Sequence, residues 1–286
     1  HVAGVLSLDD AARLVCERSG LLTRISGRGG MALVELEADE AARMIHGREH
    51  ELSIAAVNGP RATVLSGAPH ALDEVVAALS DRGVFARRVA VDFAAHSPEV
   101  EPLRPLLGEA IAGITPGAAT TTLYSTVTGE PVAGPELDPA YWMRNMREPV
   151  LFSPAVARLL DEGHDTFLEM APHPVLTRSI ADTADHAGVS ATVISSVRRD
   201  EDEARALLGA LGEREFVGAQ GVLGPDGGCA APGRSHRTAP RRRSRDQPSR
   251  ARTPGGTALR ARRVRAPRRR PPARTPAAGH SPRTPR

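Results

Sequence analysis

Met31-Ala32-Leu33-Val34-Glu35-Leu36-Glu37 opens a stretch that closes on Phe85-Ala86-Arg87-Arg88-Val89-Ala90-Val91, and its reading decides the fold. Alternating apolar and polar residues predict strands over 31–37 and 85–91. Between them the pattern predicts a helix over Ala38–Ile45, strands over 52–57 and 63–66, and a helix over 71–82. Asn58-Gly59-Pro60-Arg61 supplies the turn between the middle strands. The order βαββαβ is that of a ferredoxin-like unit.

The pattern changes on either side. Leu8, Ala11, Ala12, Leu14, Val15 and Leu22 stand at helical spacing and predict a helix over 8–22, before Gly27-Arg28-Gly29-Gly30 breaks it. Beyond Val91 comes Phe93-Ala94-Ala95-His96-Ser97-Pro98, in which Ser97 is a candidate N-cap and Pro98 the first helical residue. That helix is expected to reach about residue 114. A strand follows over 123–128 and a helix over 141–146. Ser153-Pro154 repeats the capping device for a helix through Leu160, and a strand (166–170), helix (175–187), strand (192–197) and helix (201–211) complete the pattern. Alternating strands and helices outside the inserted unit predict an α/β core with a largely parallel sheet. The expected organisation is 1–29 and 93–217 for that core, 30–92 for the insert, and 218–286 for a tail.

Charge separates the tail from the rest. Of the 286 residues, the last 66, from Gly221 to Arg286, hold 18 arginines against two aspartates, a net of +16. The first 220 hold 19 arginines against 32 carboxylates, a net of −13, and there is no lysine. A segment of Arg, Pro, Gly, Ser, Thr and Ala cannot bury enough apolar surface to offset its chain entropy, so a disordered tail is expected. Its abrupt composition suggests out-of-frame translation, with a genuine linker as the alternative. Cys16 and Cys229 show no metal-ligand spacing, and no apolar run approaches the ~18 residues of a membrane span. The expected setting is a reducing cytoplasm.

Three segments carry a resemblance. Phe93-Ala94-Ala95-His96-Ser97-Pro98, Tyr141-Trp142-Met143-Arg144-Asn145-Met146-Arg147-Glu148-Pro149-Val150 and Ala171-Pro172-His173-Pro174-Val175-Leu176 resemble, in order and spacing, the acyltransferase domains of modular type I polyketide synthases. The likeness covers roughly residues 1–212. It implies an α/β-hydrolase-like core, incomplete here, carrying the ferredoxin-like insert. It also places His1 in mid-helix and makes the chain the later part of a longer domain. The family's Gly-His-Ser-x-Gly segment, which holds its nucleophilic serine, has no counterpart in the sequence.

The resemblance also distributes roles. His96 corresponds to the general base, and the backbone carbonyl of Asn145 to the acceptor that orients its ring. Arg18 corresponds to the arginine whose fork binds the carboxylate of a malonyl-type group, for which a planar guanidinium suits two parallel bonds. Read without the family, His96 is a polar cap at a helix start and Arg18 an exposed arginine paired with a carboxylate. Asn58 lines the same cleft in relatives, or serves only as a turn residue. Phe93 and Ala95 stand where relatives set the extender unit, with His-Ala-Phe-His for malonyl and Tyr-Ala-Ser-His for methylmalonyl. Phe93-Ala94-Ala95-His96 matches neither pattern. The small Ala95 leaves space beside an α-methyl, which points to methylmalonyl.

The implied reaction moves an extender acyl group from its coenzyme A thioester to the phosphopantetheine thiol of an acyl carrier protein. It needs no metal or redox cofactor. Neighbouring ketosynthase and other synthase domains are implied partners; a membrane or a specific nucleic acid is not. Without the serine the chain is expected to be inactive and poorly soluble. Two other readings remain: a non-catalytic docking module built on residues 30–92, and a non-specific nucleic-acid binder using the Arg tail. His46-Gly47-Arg48-Glu49-His50 fits a zinc-protease spacing but falls after the helix over Ala38–Ile45, where a solvated loop is expected. Ser66 follows a strand without the paired glycines of a nucleophile elbow, and His173 is expected to shape a loop.

Overall fold

A computed structural model describes residues 1–222 of the chain. The first helix, α1 (Leu8–Leu22), starts where the Ser7 hydroxyl accepts the Asp10 N–H, and Asp9 and Asp10 complement the helix dipole. Residues 1–7 precede it outside any helix, so His1 does not lie in mid-helix.

The central unit follows as β1 (Gly30–Val34), α2 (Ala38–Ile45), β2 (Leu52–Gly59), β3 (Ala62–Gly67), α3 (Pro69–Asp81) and β4 (Ala86–Arg88). Its sheet runs β2-β3-β1-β4, and every neighbouring pair is antiparallel. Ala32 and Val34 of β1, Leu52 of β2 and Leu65 of β3 face Ala41, Ile45, Leu72, Val75 and Leu79 of α2 and α3. The spacing of Leu72, Val75 and Leu79 puts one apolar stripe of α3 on the sheet. Gly67 ends β3 at φ 150°, where a Cβ would lie 1.9 Å from the Glu51 carbonyl, so only glycine fits the close approach. β4 stops three residues earlier than expected, because Val91 donates to the Val89 carbonyl and the chain curls out of the ladder.

A second core joins α1 to a 3-10 helix at Pro98–Leu103, α4 (Arg104–Ala110) and, after β5 (Leu123–Tyr124) and β6 (Pro131–Val132), α5 (Pro139–Arg147). The expected single helix from Pro98 is split because Pro102 and Pro105 lack the N–H that an α-helical ladder needs. The expected strand over 123–128 shrinks to β5, which pairs antiparallel with β6. There the Ser125 hydroxyl accepts the Val127 N–H at 3.1 Å and starts a turn.

The third group is α6 (Phe152–Asp161), β7 (Thr166–Glu169), α7 (Thr177–Ala187), β8 (Thr192–Ser195) and α8 (Glu203–Val222). α6 begins at Phe152, and buried Ser153 is not its cap. Its hydroxyl instead meets that of Thr183 at 3.1 Å. Among the described residues the largely parallel sheet reduces to the pair β7–β8 and one parallel bridge, Ala56 to Val150. α8 runs past residue 218, and the expected tail from 223 onward lies outside the described residues. Residues 46–50 follow α2 as an exposed turn in which His46 meets Glu49 at 3.3 Å.

Glu169 closes this group. Its carboxylate accepts the N–H groups of Val175, Leu176 and Thr177 at 2.9 to 3.2 Å, satisfying donors that α7 leaves free at its start. Glu169→Ala is expected to cost about 1.5–3 kcal/mol of folding stability, as for hydrogen bonds to a charged group. Urea unfolding monitored by circular dichroism checks it, and an unchanged midpoint would contradict it.

Candidate active site

The segment after β4 is tied down along its length. Gly27 N–H donates to the Asp92 carbonyl at 2.7 Å, and the Ser26 hydroxyl meets the Asp92 carboxylate. A Cβ on Gly29 would lie 2.5 Å from that of Ala94, so the two loops touch. Buried Ser97 donates to the Ala94 carbonyl at 2.8 Å while accepting the Glu99 N–H. Within this brace His96 adopts φ 58°, a left-handed conformation uncommon for a residue with a side chain.

His96 is only 8% exposed. Its backbone N–H donates to the Met146 carbonyl at 3.3 Å, and its ring Nδ1 lies 2.7 Å from the Glu148 carbonyl oxygen. A carbonyl can only accept, so Nδ1 carries the hydrogen and the neutral ring presents the Nε2 lone pair. The acceptor is therefore Glu148, not Asn145. The residue before a proline is driven out of the helical region, so Pro149 ends α5 at Arg147 and leaves Glu148 extended at ψ 157°. Its carbonyl turns away from the helix axis, whereas Asn145 stays inside the helix. Pro149 was the available signal in the sequence.

Burial is the largest influence on the ring and lowers the pKa of His96 from its ordinary 6.5. The Glu148 bond opposes this, and the positive charges of Arg18 and Arg147 add to the lowering. Arg18 on α1 therefore lies close enough to sense the imidazole. Its own pKa is lowered by burial, its Nε is buried with no hydrogen-bond partner, and among the described residues it forms no ion pair. The reading of Arg18 as an exposed, paired arginine fails on all three counts. Arg147, by contrast, is held by Glu101 at 2.9 Å, which also holds Arg104.

The other candidates separate. Phe93 borders a recess of about 250 Å³ shared with Ser19, Leu22, Thr23, Ser26 and Asp92, one residue along α1 from Arg18. Ala95 is buried and does not line that recess. Asn58 lines a different recess of about 640 Å³ between the end of β2 and α7, and neither His96 nor Arg18 borders it. His173 Nδ1 accepts the Arg199 N–H at 3.4 Å, which joins its loop to the one after β8.

A family model described as an acyl transferase domain matches residues 1–220, and the chain belongs to that family. It is 46% identical over 219 residues to the spectinabilin polyketide synthase system protein NorA of Streptomyces orinoci, covering 76% of this chain and 12% of that one. It is also 46% identical over 226 residues to the erythronolide synthase EryA3 of Saccharopolyspora erythraea, covering 78% and 7%. The crystal structure of the acyltransferase domain from module 8 of the salinomycin polyketide synthase superposes with a TM-score of 0.73 at 46% identity, over 74% of this chain and 50% of that one. The chain is thus a polyketide-synthase-type acyltransferase domain sequence with a mixed α/β fold, spanning a small part of its curated relatives' length. Among the described residues no helix is long and apolar enough to cross a membrane.

A lowered His96 pKa has a definite sign in stability. The unfolded chain takes up this proton first, so the contribution is complete above 6.5 and is lost as pH falls through the lower folded value. Urea midpoints measured from pH 8 to pH 5 should fall below 6.5, and His96→Gln should flatten that part of the curve. An identical slope in the variant would contradict the assignment.

Proposed function

We propose that the chain carries the carboxylate-binding and proton-transfer parts of an acyltransferase that passes a malonyl-type extender unit from coenzyme A to an acyl carrier protein. One observation carries the reading: an unpaired, half-buried Arg18 within electrostatic reach of a neutral His96 whose Nε2 is free. Arg18 would hold the free carboxylate of the extender through its fork, where an ammonium would make a poorer match. His96 would take the proton of the serine hydroxyl as that oxygen attacks the thioester carbon and the coenzyme A thiolate leaves. It would then return the proton to the thiolate and repeat the exchange with the phosphopantetheine thiol of the carrier.

Gly-His-Ser-x-Gly is absent from the sequence, so the covalent step has no nucleophile here and the chain is expected to bind without turning over. Among the described residues the parallel sheet is a pair of strands, with Leu168 at 41% and Met170 at 72% exposure, which supports an incomplete α/β-hydrolase-like core and poor solubility, since parallel sheets bury both faces. The small side chain at Ala95, where the malonyl pattern of relatives carries Phe, favours methylmalonyl over malonyl, a preference worth about 1–3 kcal/mol. No metal or redox group enters this scheme. A cytoplasmic setting beside ketosynthase and other synthase domains follows from the same reading.

The test is calorimetric titration with methylmalonyl-CoA and propionyl-CoA, which differ by the carboxylate. The full chain should bind the first more tightly, and Arg18→Ala should weaken it by about 10- to 100-fold while leaving propionyl-CoA unchanged, as for a charge-assisted pair. Equal weakening of both ligands would contradict the role of Arg18. A stable acylated chain after incubation with labelled methylmalonyl-CoA would refute the absence of a nucleophile.

A further inference from the structure

The geometry points to Ser66 as a positioning residue for His96, acting from the central sheet through the peptide that links Ala95 to His96. The inference rests on the acyltransferase reading for its functional meaning, but its structural basis is independent. Ser66 is fully buried, and its hydroxyl donates to the Ala95 carbonyl at 2.6 Å. The N–H of the same peptide belongs to His96 and donates to Met146 at 3.3 Å. Both ends of one peptide plane are therefore held, one by β3 and the other by the end of α5.

That double hold matters because His96 stands at φ 58°. A left-handed residue with a side chain relaxes to negative φ unless its surroundings over-determine it. Rotation about its N–Cα bond would carry the ring away from the Glu148 carbonyl and release Nδ1. Ser66 is well placed to resist this, since β3 lies between β2 and β1 and Ser66 pairs with Ser53 on one side and Met31 on the other. Val150, two residues after Glu148, is itself bonded to β2, with its N–H on the Ala55 carbonyl and its carbonyl on the Val57 N–H, at 2.9 and 2.8 Å. The same sheet thus locates His96 through Ser66 and the ring acceptor through Val150.

Thr63 supplies an internal control. It lies on the same strand, is equally buried, and donates its hydroxyl to the Leu36 carbonyl at 2.8 Å, with no hydrogen bond to the His96 segment. Loss of either hydroxyl orphans a buried carbonyl, so both changes lower stability. Only the change at Ser66 should reach the imidazole.

The experiment is a pH titration of the ring nitrogens of His96 by nitrogen-15 correlation spectroscopy on the full chain, without substrate. The unmodified protein should show one neutral tautomer, protonated at Nδ1. Ser66→Ala should give a mixed tautomer signal and move the midpoint back toward 6.5, whereas Thr63→Val should leave both unchanged. Should Ser66→Ala not fold, Ser66→Cys keeps nearly the same volume with a weaker donor and is read in the same way. An unaltered His96 in a folded Ser66 variant would overturn the inference, as would an equal disturbance in Thr63→Val. Because no acyl group is involved, either result leaves the acyl-transfer reading to stand or fall on its ligand titrations.

Discussion

A single bond from the Nδ1–H of His96 to the Glu148 carbonyl, 2.7 Å long, governs what this molecule can do. It fixes the tautomer and turns Nε2 outward as a lone pair. It also works against the burial and the two arginine charges that keep the ring neutral. A side chain deprotonated near neutrality, yet still within reach of a proton, is what a general base requires. Ser66, Met146 and Val150 hold the backbone at its two ends, and Arg18 and Arg147 set the charge around it.

The four-stranded sheet serves as the fixed frame. Strand β2 receives Val150, which locates the peptide beyond Pro149, and β3 receives the segment before His96 through Ser66. The imidazole and its acceptor come from parts of the chain 52 residues apart, and common attachment to one antiparallel ladder gives their separation its definition. Helix α1 approaches from the other core and brings Arg18, half-buried, with a buried Nε that lacks a partner, within electrostatic reach of the imidazole. A buried donor with no acceptor is costly, so a site that retains one gains by receiving an anion.

Local pattern made much of this legible in the sequence. α2 falls at Ala38–Ile45 as its periodicity indicates, and the helix carrying Tyr141 to Met146 lies within Pro139–Arg147. The βαββαβ order also emerges from alternation and turn residues alone. What escaped was set by contacts between distant residues or by side chains bonding to backbone. Ser153 looks like a cap but is drawn to Thr183, and residues 125–128 look like a strand but are folded back by the Ser125 hydroxyl. The family likeness led to Asn145 for the ring acceptor, although the Glu148-Pro149 dipeptide already marked where the helix had to release its carbonyls. Asn58 sits in a turn like any other, and nothing in its neighbours told which recess it would border.

The most direct test is a crystal structure of the full chain with methylmalonyl-CoA bound. Arg18 should grip the carboxylate with two nitrogens at about 2.7–2.9 Å, while the thioester faces Nε2 of the same molecule's His96. A ligand whose carboxylate lies elsewhere, or whose thioester is out of reach of His96, would contradict the claim that these two residues serve one acyl group.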